Sequence, residues 1–206
     1  MKLREHLTPR IKAAMLQNEQ PTNNLPDTEF DIDPNLIFFK NDLIYRHNVL
    51  RINYTTYDVR RAQDSINPRT EHKDIMLLAD GLTHHQYQYA RVLGIYHANI
   101  IYSGEGRHGK RDCRTQRMEF LWVRWFEITG NDMAAQHGWQ QGCLDTLKFH
   151  RITDKEAFGF VDPGDILRAC HIIPRFFLGK AHGDEAKPRS ECAQDHKDWR
   201  AYCANR

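Results

Sequence analysis

The stretch Asn53-Tyr-Thr-Thr-Tyr-Asp-Val-Arg-Arg-Ala-Gln-Asp-Ser-Ile-Asn-Pro-Arg69 decides how this chain is read. It completes an alternating run from Val49 to Tyr57, in which Leu50, Ile52 and Tyr54 interleave with Arg51, Asn53 and Thr55. Apolar and polar residues alternating with period two mark a half-buried β-strand. The run then passes into a polar segment with adjacent Arg60 and Arg61, which reads as an exposed loop suited to contact. The stretch contains no catalytic constellation.

Strand signals of the same kind continue outward. Leu36–Phe39 and Leu43–Tyr45 flank Asn41-Asp42 as a hairpin would. Ile75–Ala79 is short and apolar, and Tyr87–Tyr102 is long and β-rich with Gly94 as a bend or bulge. Met118–Phe126 is the most aromatic run, and Thr146–Ile152 alternates again. Asp162-Pro-Gly-Asp165 predicts a turn before a strand over Ile166–Ile173, closed by Pro174. Seven or eight short strands without a βαβ rhythm predict a mainly β, antiparallel barrel or sandwich.

Before the strands, residues 1–17 carry Leu3, Leu7, Ile11 and Met15 at four-residue spacing, the pattern of an amphipathic helix or helix pair. Thr8-Pro9 reads as an N-cap followed by proline at the first helical position. Residues 18–35 read as a flexible linker, 36–177 as the β domain and 178–206 as an irregular tail anchored by Trp199 and Tyr202.

Composition excludes several classes. The chain has 206 residues, 40% of them hydrophobic, which suits a globular core. No apolar run nears the roughly 20 residues of a membrane helix, and the N-terminus has no apolar signal region. That points to an intracellular protein. Five widely spaced cysteines without a Cys-x-x-Cys pair read as free thiols. Cys192-x-x-x-His196 with Cys203 lacks a fourth zinc ligand. Asp31/Asp33 and Asp162/Asp165 sit where Asp serves local turn bonds. Gly104-Glu-Gly106-Arg-His-Gly109 precedes basic loop residues, so it does not read as a dinucleotide loop. We therefore expect no catalytic residue, no cofactor and no metal.

Charge is local. Net charge is +2, yet Arg107, Lys110, Arg111, Arg114 and Arg117 against Asp112 give this one segment +4 and leave the rest at −2. The segment reads either as a solvated hairpin loop or as a phosphate-contacting patch or nuclear-import signal. The aromatics Trp122, Trp125 and Phe126, with Tyr54 and Tyr57, read either as core or as a pocket that holds a cation by cation–π attraction.

Five blocks carry a family resemblance: Asn53–Arg69, Tyr89–Ile100, Arg117–Phe126, Phe158–Phe176 and Asp198–Arg206. Together they resemble transposon-associated open reading frames of mushroom-forming fungi, of the Plavaka and KDZ type. The resemblance implies a nuclear, transposon-derived protein, C-terminally truncated after Asp198-Trp-Arg-Ala-Tyr-Cys-Ala-Asn-Arg206. Three shorter motifs are similar to bromo-adjacent homology (BAH) domains of chromatin proteins: Tyr89–Tyr96, Phe120–Phe126 and Ile166–Ile172. Glu127-Ile-Thr-Gly stands where those domains carry Arg-Pro-Glu. This second likeness implies a BAH-like, SH3-like barrel related to chromatin readers, and we expect it to bind chromatin proteins or DNA through Arg60, Arg61 and the basic segment. The competing expectation is an inert fragment of a larger transposition enzyme, or a degenerate copy without a selected function.

Overall fold

The computed structural model describes residues 2–18, 30–55, 61–79, 81, 85–106, 111, 113–129, 144–183 and 185–205. Among the described residues one α-helix, α1 (Lys2–Asn18), precedes eleven strands. These are β1 (Ile37–His47), β2 (Leu50–Thr55), β3 (Arg61–Ile66), β4 (Asp74–Leu78), β5 (Tyr87–Tyr102) and β6 (Gln116–Ile128), then β7 (Thr146–Phe149), β8 (Phe158–Val161), β9 (Ile166–Ala169), β10 (His171–Pro174) and β11 (Tyr202–Asn205). The chain divides into two compact units, Met1–Arg46 with Tyr96–Phe120, and His47–Ile95 with Leu121–Arg206. The protein is mainly β and antiparallel, as the strand patterns predict.

In the first unit, Leu7, Ile11 and Met15 bury the apolar stripe of α1, each at most 3% exposed. Burial of this kind stabilises by roughly 1.5–3 kcal/mol per large side chain. The helix is continuous through Pro9, so the expected break at Thr8-Pro9 is absent. Proline has no N–H for the Glu5 carbonyl, while the Thr8 hydroxyl donates to the Arg4 carbonyl at 2.9 Å. The Arg10 guanidinium donates to the Glu119 carbonyl, and Lys12 lies over the Phe30 ring. Asp31 and Asp33 accept backbone N–H bonds from Ile32 and Asn35, the local role expected of turn aspartates. Asn41 and Asp42 both have positive φ, at 59° and 54°. Both lie inside β1, which runs through them as one strand beside β5, so the hairpin expected about Asn41-Asp42 does not form.

In the second unit the strands run in the order β10-β11-β7-β6-β5-β4-β9, with β8 also on β6. The two end strands, β9 and β10, are joined by Cys170 alone, so the sheet curls into a nearly closed barrel. The sequence run Ile166–Ile173 is therefore two strands and not one. The Cys170 N–H donates to the Asp74 carbonyl at 3.0 Å, one residue further along the β4–β9 register, before the chain passes to β11. β10 stands at the end of the strand order, where its Pro174 removes no needed sheet donor.

One face of this sheet is apolar. Ile75 and Leu77 of β4, Ala90 and Val92 of β5, and Leu121 and Val123 of β6 form its core with Ile66 and Val161. The β2–β3 hairpin supplies Leu50, Ile52 and Ile66 to this cluster. Arg61–Ile66, read from sequence as loop, is a strand because six cross-strand pairs with β2 offset its weak β-propensity.

β6 changes partners along one edge. Leu121–Arg124 pair with β8 and Phe126–Ile128 with β7. Trp125 sits at the junction, its N–H donating to the Ala157 carbonyl and its carbonyl accepting from His150 N–H. A side chain on Gly159 would overlap the Trp125 indole, so the junction needs glycine there.

Candidate functional site

The other face of the second unit is built from aromatics and paired charges. Phe126 stacks on Phe149 with centroids 4.0 Å apart, and Tyr202 meets both rings edge-on at 5.5 and 5.4 Å. The cross-strand partners Asp74 and Arg91 form a side-on bidentate pair at 2.8 and 2.9 Å. Arg91 lies 5.0 Å from the Phe149 centroid, and Arg124 stacks on the same ring at 3.9 Å. Arg124 Nη1 and Nη2 donate end-on to the Asp198 carboxylate at 3.1 and 2.7 Å. That pair, with the Arg124 side chain 3% exposed, ties β6 to the C-terminal segment. Burial pushes the Asp74 and Asp198 carboxyls above their ordinary value, against the pull of their guanidinium partners.

The C-terminal segment is folded and not a loose tail. β11 inserts between β7 and β10, and Tyr202 is 2% exposed. The Trp199 N–H donates to the Tyr202 hydroxyl at 2.9 Å. Residues 179–181 run against 198–200, with Ala181 N–H on the Asp198 carbonyl and Arg200 N–H on the Gly179 carbonyl. The buried Asp195 carboxylate collects the N–H groups of Arg189 and Ser190 and folds residues 189–195 back on themselves. These residues carry too little apolar periodicity to be read as structure from sequence. Their order comes from tertiary bonds.

Between this segment and the end of β7 lies a cleft of about 440 Å³. Its walls carry Arg124, Lys148, Arg151, Arg189 and Arg200 against only two acids, Asp195 and Asp198. Both acids are already occupied by internal bonds. Lys148 pairs with Glu127 at 3.2 Å. The side chains of Arg151, Arg189 and Arg200 are exposed and have no hydrogen bond or ion pair among the described residues. Arg124 Nε is buried without an acceptor there, because the Asp198 pair uses only its terminal nitrogens. Trp199 lines the cleft and also a neighbouring concavity of about 560 Å³, which runs past Leu178 and Lys180.

Several of the residues singled out from sequence have partners within the chain. Arg60, Tyr57, Arg107 and Lys110 lie outside the described residues, as does the side chain of Arg61. Arg111 pairs with Glu105 at 3.7 Å and Arg117 with Glu119 at 2.9 Å. Arg114 is exposed. Tyr54 is half-buried on β2, where the chain's own Arg168 stacks 4.3 Å above its ring and donates to its hydroxyl at 3.0 Å. Trp122 packs on Phe158, Trp125 on the apolar core, and Phe126 is buried with its cation–π partner, Arg91, supplied internally. The cations over Tyr54 and Phe126 are the protein's own.

Chemistry of the nucleophilic or metal kind finds little support in the described residues. The Cys170 thiol is pushed far above its ordinary range by burial and by the Asp74 carboxylate, the reverse of an activated thiolate. No group of three or more His, Cys, Asp or Glu side chains is placed to hold a metal among the described residues. No described helix is long and apolar enough to cross a membrane.

No family model, curated protein or solved structure matches this chain.

Proposed function

We propose that this chain is a non-enzymatic DNA-binding module, of the chromatin-associated, BAH-like kind that the sequence motifs resemble, in a transposon-derived nuclear protein. The observation that carries the reading is the cleft: three arginines without acidic partners converge there, and both nearby carboxylates are already consumed. Unneutralised guanidiniums gathered at a concave surface favour an anionic ligand, and phosphate accepts their forked donors well. The basic segment Arg107–Arg117 adds a long-range field, reduced locally by Glu105 and Glu119.

The test is a titration of the purified chain against labelled duplex DNA at two salt concentrations. Binding by this reading weakens with salt by a slope of about −0.9 per phosphate contacted. Absence of binding to duplex and to single strand alike at low salt removes the DNA reading and turns the search to acidic protein partners. A second reading, a fragment of a larger transposition enzyme, draws on one feature. Phe176 and Phe177 are 63% and 75% exposed beside Leu178, an apolar surface that a larger assembly would cover. Concentration-dependent aggregation of the isolated chain, abolished by Phe176→Ser with Phe177→Ser, favours that reading.

A further inference from the structure

Resting on the DNA-binding reading, we infer that the cleft takes an unpaired nucleotide, so that the preferred ligand is single-stranded nucleic acid and not duplex. Three features of the site separate the two forms.

The first is depth. Duplex phosphates lie on a convex cylinder and meet exposed cations on a protein surface. Here the most buried of the lining cations, Arg124, is 3% exposed and has an Nε–H without an acceptor among the described residues. Only a group that leaves the cylinder and enters the cleft can approach it. A volume of about 440 Å³ falls within the range of pockets that enclose a small molecule of nucleotide size.

The second is the indole. Trp199 lines both concavities, each large enough for a base. Phe176 meets it at 83° with centroids 4.9 Å apart, the Trp199 N–H donates to the Tyr202 hydroxyl, and the backbone on either side of Trp199 is bonded to Gly179 and Ala181. An aromatic ring fixed beside arginines is the combination that single strands use, with bases on the ring and phosphates on the cations. Stacked duplex bases cannot reach such a ring.

The third is the position of the free cations. Arg151 and Arg189 stand at the cleft and Arg200 at both concavities. A strand that passes Trp199 meets Arg151 and Arg189 in the cleft and Arg200 where both concavities share a wall. The chemistry does not require a particular base, since every base has a π-face.

The experiment is fluorescence anisotropy with a labelled thymidine 12-mer and, separately, a 12-base-pair duplex. The full chain is compared with two variants, Arg189→Ala/Arg200→Ala and Trp199→Phe. The first variant changes only exposed side chains and so keeps the fold; the second keeps an apolar ring in place of the indole. The expected result is at least tenfold tighter binding of the single strand than of the duplex. Removing two phosphate contacts lowers the single-strand salt slope by about 1.4, and the smaller ring of Trp199→Phe weakens binding about threefold or more. Duplex binding equal to or tighter than single-strand binding overturns the inference and leaves the DNA reading standing. Single-strand preference that both variants leave untouched also overturns it, because the ligand then sits elsewhere. If neither nucleic acid binds, the inference and the DNA reading fall together.

Discussion

The basic segment around Arg111 and the cleft around Arg200 hold similar numbers of cations but dispose of them differently. Between Glu105 and Glu119 five basic residues face three acidic ones, and the two pairs seen join Arg111 to Glu105 and Arg117 to Glu119. Around the cleft the acids are spent inwardly, Asp198 on Arg124 and Asp195 on backbone N–H groups. The rim arginines are thereby left without partners. The difference teaches that charge density along a chain is a poor guide to charge available to a ligand. What counts is whether neighbouring carboxylates have other work.

The largest expected effect comes from breaking the internal pair that shapes the cleft. Asp198→Ala leaves the Arg124 guanidinium buried and uncompensated, which costs about 3–5 kcal/mol. Chemical denaturation of the variant measures this; a loss below about 1 kcal/mol would mean that the pair is solvated and the cleft wall independent of it.

Next in size is an alkaline effect at Tyr202. Burial, and the Asp198 carboxylate, push its phenol up to about 12. The unfolded chain loses that proton near pH 10 while the folded chain keeps it. Stability from this group is therefore complete below pH 10 and is lost as pH rises toward 12, by on the order of 2 kcal/mol. Tyr202→Phe should be less stable at neutral pH, since the Trp199 N–H loses its acceptor, yet should lack this component of the alkaline decline. Parallel stability curves for the two proteins between pH 10 and 12 would remove Tyr202 as the group responsible.

Gly159→Ala probes the junction where β6 passes from β8 to β7, the foundation of the cleft's β7 wall. Overlap with the Trp125 indole should cost roughly 1–3 kcal/mol, read as a lowered midpoint of thermal unfolding. An unchanged midpoint would show that the indole swings aside freely. The smallest effect concerns the other region. Glu105→Gln with Glu119→Gln should leave stability within about 0.5 kcal/mol, because exposed pairs contribute little. The same change should raise DNA affinity at low salt by releasing Arg111 and Arg117. If affinity stays constant, the segment is not silenced by its glutamates, and the contrast with the cleft loses its basis.

Much of the fold was legible. The long strand was read as Tyr87–Tyr102 and forms over those residues, because its β-branched and aromatic content is sustained over sixteen positions. The four-residue apolar spacing of α1 and the Asp162-Pro-Gly turn also carry their own local signals. The site was not legible, for a physical reason. β11 is four residues long, and only its insertion between β7 and β10 makes it a strand. The cations of the cleft lie at 151, 189 and 200, too far apart in sequence to register as a patch, and Asp195 and Asp198 look there like charges that would cancel them. Their internal bonds become visible only in three dimensions. Likewise Phe126 has the composition of a cation-binding aromatic, but nothing local announces that Arg91 of the neighbouring strand already fills that role.

The most direct test of the central claim is the salt dependence of nucleic-acid binding by Arg151→Ala/Arg189→Ala/Arg200→Ala, set beside that of Arg111→Ala/Arg117→Ala. If the cleft carries the phosphate contacts, the triple variant lowers the slope of log affinity against log salt by about 2 on a single strand or 2.7 on duplex, and the double variant shifts it by less than 1. An unchanged slope in the triple variant, with a clear drop in the double one, would contradict the account and return the contact surface to the basic segment.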